Sequence, residues 1–321
     1  MKSYKKISEK IEYIDIDNPR NKSEGVRWVN IINAGKVEIN YLRKNYNFDL
    51  SHLRLTAASF VAQRPIVFKG PSYLFLILHF PTLEGDKIIA GEIDFFVGHE
   101  FLITISNNNL PSLNNFFNLG KKDPNSLLSF TTESSAILLY EILERLINDC
   151  FNLLDNNSLE IKKVENLIFS NEQSKAVQKI LLLRRNIINI RKIMQNHKNI
   201  LKELTKMKSS LVDPMAIKKY YEILVADSKR LWENLDNQKE MIEVLNSTNE
   251  SMLNGQMNII MKTLTVFSVI VFPLSLLAGI FGMNAVNMPL VDSSNGFWLI
   301  LGIMFIGSLG MVIYFKYRKW I

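Results

Sequence analysis

The sequence predicts an α+β cytosolic domain, followed by a very long stalk helix and a C-terminal hairpin of two transmembrane helices. Three observations carry that prediction. Runs rich in β-branched and aromatic residues, broken by Gly and Pro, lie within the first 120 positions, and helical periodicity takes over from about residue 125. Charged residues are spread through the first 262 positions and then vanish until Asp292, leaving two long apolar stretches near the end.

Residues 1–124 form the predicted α/β domain with a central sheet. The opening "MKSYKKISEK" is basic but has no apolar run behind it, so it is not a secretory signal, and entry into a membrane is expected from the C-terminal end. "PIVFKGPSYLFLILHFP" and "KIIAGEIDFFVGHEFLITIS" read as strands with turn signals. Cys150 is the one cysteine, which excludes an intrachain disulfide, suits a reducing cytosol and reads as a small buried apolar residue.

Residues 125–212 read as a cytosolic helical region packing on the stalk. Ile180, Leu183, Ile187, Ile190, Met194, His197, Leu201 and Leu204 recur at alternating spacings of three and four, a coiled-coil seam on which His197 is a packed residue rather than a ligand. A break at Asp213 and Pro214 opens the stalk, whose cytosolic part is 213–262. Its apolar residues are Ile217, Leu224, Leu231, Leu235, Ile242 and Leu245. No proline interrupts the pattern before Pro273, so one helix is expected from about 215 to about 280, on the order of 100 Å long.

The first span, 263–282, and the second, 297–315, contain no charge, and each is close to the roughly 20 residues that cross a bilayer core. Lys262 precedes the first span, and the basic tail 316–321 carries Lys316, Arg318 and Lys319. The connection 283–296 has neither Lys nor Arg. Positive flanks stay inside, so both termini are expected in the cytosol and the connecting loop outside a multi-pass protein of the cell (cytoplasmic) membrane. Trp298 at one interface and Tyr314, Tyr317 and Trp320 at the other read as aromatic belts.

A polar stripe continues from the stalk into the first span: Ser247, Ser251, Asn254, Asn258, Met261, Thr265, Ser268, Phe272, Ser275 and Gly279. Small residues of this kind either pack helices together or face water. If they face water, several copies must surround a common axis, because one hairpin cannot enclose a pore. The second span then packs outside the first, where Gly302, Gly307 and Gly310 permit close approach. Neither span carries a carboxylate to strip an ion. Asn, Ser and Thr can accept hydrogen bonds from the waters that Mg²⁺ retains, and a ring of Asn284 amides suits such a hydrated ion. Met261 and Phe272 are candidates for closing the path by dewetting.

Gly282, Met283 and Asn284, directly after an uncharged span and followed by Met288 and Pro289, resemble the signature of the CorA family of magnesium transporters. "MKTLTVFSVIVFPLSLLAGIFGMN" is similar to that family's first span throughout; the resemblance is strong over about 240–321 and architectural before it. It implies a homopentameric funnel in which Gly282, Met283 and Asn284 form the outer selectivity loop. It also implies pore-lining or gating positions at Asn258, Met261, Leu264, Phe272 and Ser275, beside the stripe's own Thr265 and Ser268. The resemblance favours Leu264 where the stripe favours Thr265. Lys316, Arg318 and Lys319 take the place of the family's basic inner mouth.

Regulation by cytosolic Mg²⁺ is implied as well, with acidic ligands between subunits; Glu84, Asp86, Glu222 and Asp227 are the candidates. Many relatives have a glutamate directly after "MP". Here Leu290 stands there, and either Asp292 substitutes at the entrance or the entrance attracts cations less strongly. Met283 favours magnesium over zinc.

There is no Walker loop, dinucleotide fingerprint, nucleophile elbow or Cys/His pair at zinc spacing, and His52, His79, His99 and His197 are scattered. No enzyme and no organic cofactor is expected. The net charge of +7 comes with no nucleic-acid module, so the expected partners are the lipid bilayer, divalent cations and other copies of the chain. The expectation is Mg²⁺ influx, with Co²⁺ and Ni²⁺ as further candidates. It is driven by a potential worth about 2.3 kcal/mol per charge per 100 mV. Two alternatives stand beside it: a CorA-like transporter of zinc or another divalent metal, with or without proton coupling, and a membrane-anchored coiled-coil scaffold.

Overall fold

The computed structural model describes residues 4–17, 25–57, 65–122, 134–206, 214–283 and 295–320. The chain divides into two compact units, Met1–Leu245 and Asn246–Ile321.

In the first unit, the described strands are β1 (Tyr4–Lys6), β2 (Ile11–Ile16), β3 (Val26–Ile32), β4 (Ile66–Lys69), β5 (Leu74–Glu84), β6 (Lys87–Val97) and β7 (Phe101–Ser106). They form one sheet in the order β1-β2-β3-β7-β6-β5-β4. Only the central β3–β7 pair is parallel. β5 and β6 are eleven residues each, and the two-residue turn between them opens on Gly85 at φ +60°. A side chain there would be strained, which is why a glycine starts this hairpin turn.

Side chains alternate across the sheet, so consecutive residues bury against different layers. Val29, Ile31, Phe75, Ile77, Phe96, Ile103 and Ile105 share a core with Leu42 and Leu53, which belong to α1 (Lys36–Tyr46) and α2 (Leu50–Ala57). On the opposite face Trp28 meets Phe116 and Phe117 of α3 (Pro111–Lys122) at 5.2 and 5.0 Å between ring centroids. Its indole nitrogen donates to Thr104 Oγ1 at 3.1 Å. The three early strands, β1, β2 and β3, lie outside the two strand runs legible in the sequence.

Three helices follow among the described residues: α4 (Ser135–Phe169), α5 (Gln173–Met194) and α6 (His197–Lys206). Ser134 caps α4 by accepting from the Ile137 amide. All eight residues of the sequence seam are buried. They do not form a coiled coil, however. The helix breaks at Gln195–Asn196, and α5 packs on α4 and on strands β5 and β6. A three-four repeat records a continuous apolar stripe; it does not record whether a helix or a sheet covers it. Asn186 and Asn189 tie α5 to the sheet, with their amide nitrogens donating to the carbonyls of Asp86 and Ile88 at 2.9 and 3.0 Å.

Helix α7 runs as one element from Pro214 to Phe281, 68 residues, as the uninterrupted pattern predicts. Its apolar positions Leu224, Leu231, Leu235, Ile242 and Leu245 are buried; the side chain of Ile217 lies outside the described residues. Within the first unit α7 is pinned to α4 by side-chain donors. Tyr221 donates to the Ala136 carbonyl at 3.0 Å, and Gln238 to the Leu154 carbonyl at 2.6 Å. Arg191 of α5 pairs with Asp236 of α7 and lies over the Trp232 ring.

The second unit contains the end of α7 and α8 (Gly296–Tyr317). Both helices are long and apolar enough to cross a membrane. Phe272, Phe297 and Ile306 are 72%, 69% and 71% exposed. Apolar exposure on this scale is not sustained in water and calls for lipid or other protein around the helices.

Candidate functional site

The first span carries a concave patch lined by Leu264, Thr265, Ser268, Val269, Phe272 and Pro273. Leu264 and Thr265, the two alternatives for one pore-facing position, therefore share a single groove. Thr265 donates its hydroxyl hydrogen to the Met261 carbonyl and Ser268 to the Leu264 carbonyl, each at 2.8 Å. Thr263 does the same to Ile259 at 3.0 Å. These bonds turn the hydrogens into the helix and leave the oxygen lone pairs outward as acceptors.

Pro273 strengthens this acceptor character. It lies inside α7 and has no N–H, so the helical hydrogen bond to the Val269 carbonyl is not made. The apolar groove thus carries hydroxyl oxygens whose hydrogens are turned into the helix, and a carbonyl that lacks its helical donor lies beside it. That is the complement of a hydrated cation, whose waters point their hydrogens outward. Val269 and Pro273 are not among the residues expected to line a path; a proline inside an otherwise uninterrupted apolar helix is the signal that marks them.

Asn258, Met261 and Ser275 are exposed on α7. At its outer end the Gly282 amide donates to the Ala278 carbonyl at 2.9 Å, and a Cβ on Gly282 would stand 2.8 Å from that same oxygen. The close approach of chain to chain is what requires glycine there. Met283 follows, 63% exposed, with its amide donating to Ile280 at 3.2 Å. Asn284, Leu290 and Asp292 lie outside the described residues.

At the other end of the hairpin, Lys316, Arg318 and Lys319 are exposed. Trp320 folds back, donating its amide to the Phe315 carbonyl at 3.0 Å and setting its ring 5.8 Å from that of Phe315. Lys319 takes φ +56° to make this turn. Trp298, Tyr314 and Tyr317 are exposed near the two ends of α8. A Cβ added at Gly302, Gly307 or Gly310 would meet open space, so within one chain these glycines admit no close neighbour.

The four acidic candidates are separate. Glu84 ends β5 and Asp86 sits in the turn after it, both exposed. On α7, Glu222 pairs with Lys218 at 3.9 Å and Asp227 with Arg230 at 3.4 Å. Among the described residues no three His, Cys, Asp or Glu side chains come together as a metal cage within the chain. Any cation bridging these groups must compete with local ion pairs worth about 0–1 kcal/mol each, which is weak competition.

Two apolar C-terminal helices and a separate α+β unit define the class: a membrane protein with a cytosolic domain. Residues 23–318 match the family model described as CorA-like Mg2+ transporter protein, and the chain belongs to that family. It is 23% identical over 306 residues to the cobalt/magnesium transport protein CorA of Thermotoga maritima, covering 94% of this chain and 86% of that one. Identity is also 23% over 295 residues to the cobalt/magnesium transport protein CorA of Methanocaldococcus jannaschii, covering 92% and 91%. The complete structure of the M. jannaschii CorA magnesium transporter superposes with a TM-score of 0.81 at 22% identity, covering 92% of each chain. That likeness supports the fold: an α+β domain, a long helix and a C-terminal apolar hairpin.

Proposed function

We propose that this protein is a homopentameric channel for divalent cations, admitting hydrated Mg²⁺ into the cytosol down the membrane potential, with Co²⁺ and Ni²⁺ as further substrates. The observation that carries the reading is the pair of hydroxyl acceptors, Thr265 and Ser268, in the groove on α7, in a chain that matches a family of Mg²⁺ transporters along nearly its whole length. Neither span offers a carboxylate to strip the ion, and Mg²⁺ gives up its waters reluctantly. A path that reads the hydrated ion fits both facts.

In this reading Gly282, Met283 and Asn284 form the filter. Asn258, Met261, Leu264, Thr265, Ser268, Phe272 and Ser275 line or close the path, and Asp292 stands at the entrance. Lys316, Arg318 and Lys319 surround the inner mouth. The segments 1–124, 125–212 and 213–262 are cytosolic, 263–282 and 297–315 cross the cell membrane, 283–296 faces outside, and 316–321 returns to the cytosol. Glu84, Asp86, Glu222 and Asp227 bind regulatory Mg²⁺ between copies when its cytosolic concentration is high.

The test is Mg²⁺ uptake into proteoliposomes under an inside-negative potential, wild type beside Asn284→Ala. Uptake by wild type and lost flux or selectivity in the variant is the expected result. Entry of Zn²⁺ in place of Mg²⁺ would overturn the substrate and keep the transporter. No divalent flux from a confirmed oligomer at low internal Mg²⁺ would leave an anchored scaffold.

A further inference from the structure

Under α2, neighbouring strands bring three titratable side chains into the core. His79 of β5 stands opposite Glu92 of β6, its Nε2 2.8 Å from Glu92 Oε2. Asp94, two residues along β6, shares that face and lies opposite Ile77 and Ile105. All three are buried, Asp94 most deeply at 2% exposed. His79 Nδ1, Glu92 Oε1 and Asp94 Oδ1 each lack a hydrogen-bond partner among the described residues. A buried polar atom left unpaired costs about 1–3 kcal/mol, so a core that keeps three of them calls for an explanation.

Buried Thr56 of α2 lies against the cluster: its hydroxyl stands 3.3 Å from the His52 carbonyl and also hydrogen-bonds Asp94, a contact that by itself favours the anion. Charge decides the protonation state: two carboxylates beside a single imidazole would leave one anion uncompensated in the core, so Asp94 is the neutral acid. Burial, and then the charge of Glu92, pushes the Asp94 carboxyl up to about 8.

The other titratable groups around the cluster do not compensate it. His52 of α2 is engaged through Nδ1 with the Tyr73 hydroxyl at 2.8 Å, and Arg54 of α2 is exposed. From the far face of the sheet comes His197 of α6, fully buried and held neutral, its titration pushed down to about 4 by burial and then by His79. Among the described residues no Lys or Arg pairs with Glu92 or Asp94.

We propose that Asp94, with Glu92 and His79, is a buried proton-binding latch between the sheet and α2. With the proton bound, the cluster carries no uncompensated charge and α2 stays closed over it. With the proton lost, a second carboxylate faces Glu92 in the core, and opening α2 to admit water relieves the buried charge. α2 fully buries only Leu53 and Thr56; beyond them it is held by His52 on Tyr73, Phe68 and Phe75 and by half-buried Leu55, so its release is local. The cytosolic domain thereby loosens as pH rises through the mildly alkaline range.

The experiment uses the full-length protein in nanodiscs. Infrared difference spectra between about pH 6.5 and about pH 9.5 should show a carboxylic-acid band that disappears as pH rises in wild type and is missing in Asp94→Asn. Hydrogen exchange of the α2 amides, corrected for its intrinsic pH dependence, should lose protection about tenfold per pH unit above the transition. Asp94→Asn should keep α2 protected, because its amide has no charge to gain, and Glu92→Gln should move the transition to lower pH. A missing band in wild type, protection indifferent to pH, or a band that survives in Asp94→Asn overturns the latch. Should Asp94→Asn not fold, an unshifted transition in Glu92→Gln overturns it instead. Ion flux enters none of these readouts, so the latch and the transport reading fail separately.

Discussion

His197 illustrates how burial, more than any partner, sets a residue's chemistry. Its ring packs edge-on against Phe80 at 5.0 Å, and neither ring nitrogen finds a partner among the described residues. Titrating at about 4 when folded and near 6.5 when unfolded, it stays neutral where the unfolded chain takes up a proton. The stability that neutral His197 contributes is therefore complete above about pH 6.5 and falls as pH drops toward 4, by on the order of 3 kcal/mol. His197→Phe should flatten that acid slope in thermal unfolding curves recorded against pH. At Gly282 the expectation is steric. Gly282→Ala forces a Cβ against the Ala278 carbonyl, so the outer end of α7 must shift. Mg²⁺ flux should fall while the cytosolic domain's melting temperature stays unchanged. The sequence marked both residues, one as a packed seam position and one as part of a motif. It showed neither that His197 lies behind His79 nor what the Gly282 Cβ would strike, because both depend on neighbours that the fold supplies.

Among the elements, α7 shows how a stalk is held. Its first half lies on α4 through Tyr221 and Gln238, each donating to a main-chain carbonyl. Tyr221→Phe removes one hydrogen bond and keeps the ring, and should cost about 0.5–1.5 kcal/mol in chemical denaturation. Asp236→Asn removes the half-exposed partner of Arg191 and should cost less than about 1 kcal/mol. If Asp236→Asn cost the more of the two, the pairing of α5 with α7 would be the stronger clamp. The length of α7 was legible because no proline or glycine cluster breaks its pattern before Pro273. The break between α5 and α6 was not, since Gln195 and Asn196 carry no stop signal and the seam continues across them. Strands β2 and β3 escaped for a related reason: short strands beside a parallel pairing acquire their burial from distant partners, here β7 and α3.

For the whole molecule, the proposed regulation and assembly require several copies. Neutralising Glu84, Asp86, Glu222 and Asp227 together, as Glu→Gln and Asp→Asn, should abolish inhibition by internal Mg²⁺ in proteoliposomes and leave uptake at low internal Mg²⁺ intact. Inhibition unchanged from wild type would remove these residues from the regulatory site. The apolar surface of the second unit, with Phe272, Phe297 and Ile306 bare in the single chain, leads to a further expectation. Extracted in mild detergent, the protein should run as a pentamer by light scattering, and a monodisperse monomer that still carries flux would contradict the shared pore.

By itself the sequence determined the class of each segment: where strands give way to helices, how long the stalk runs, which two stretches are too apolar for water and which motif follows the first. Those properties follow from local periodicity and from the absence of charge, which need no partner to be read. The tertiary structure alone decided what each stripe meets. It laid the apparent coiled-coil seam on a sheet, put Leu264 and Thr265 into one groove beside Pro273, and gathered His79, Glu92 and Asp94 under α2. The physical reason is that burial, hydrogen-bond satisfaction and proton affinity depend on contacts between residues far apart in the chain, and periodicity carries no information about which surface will cover a given face.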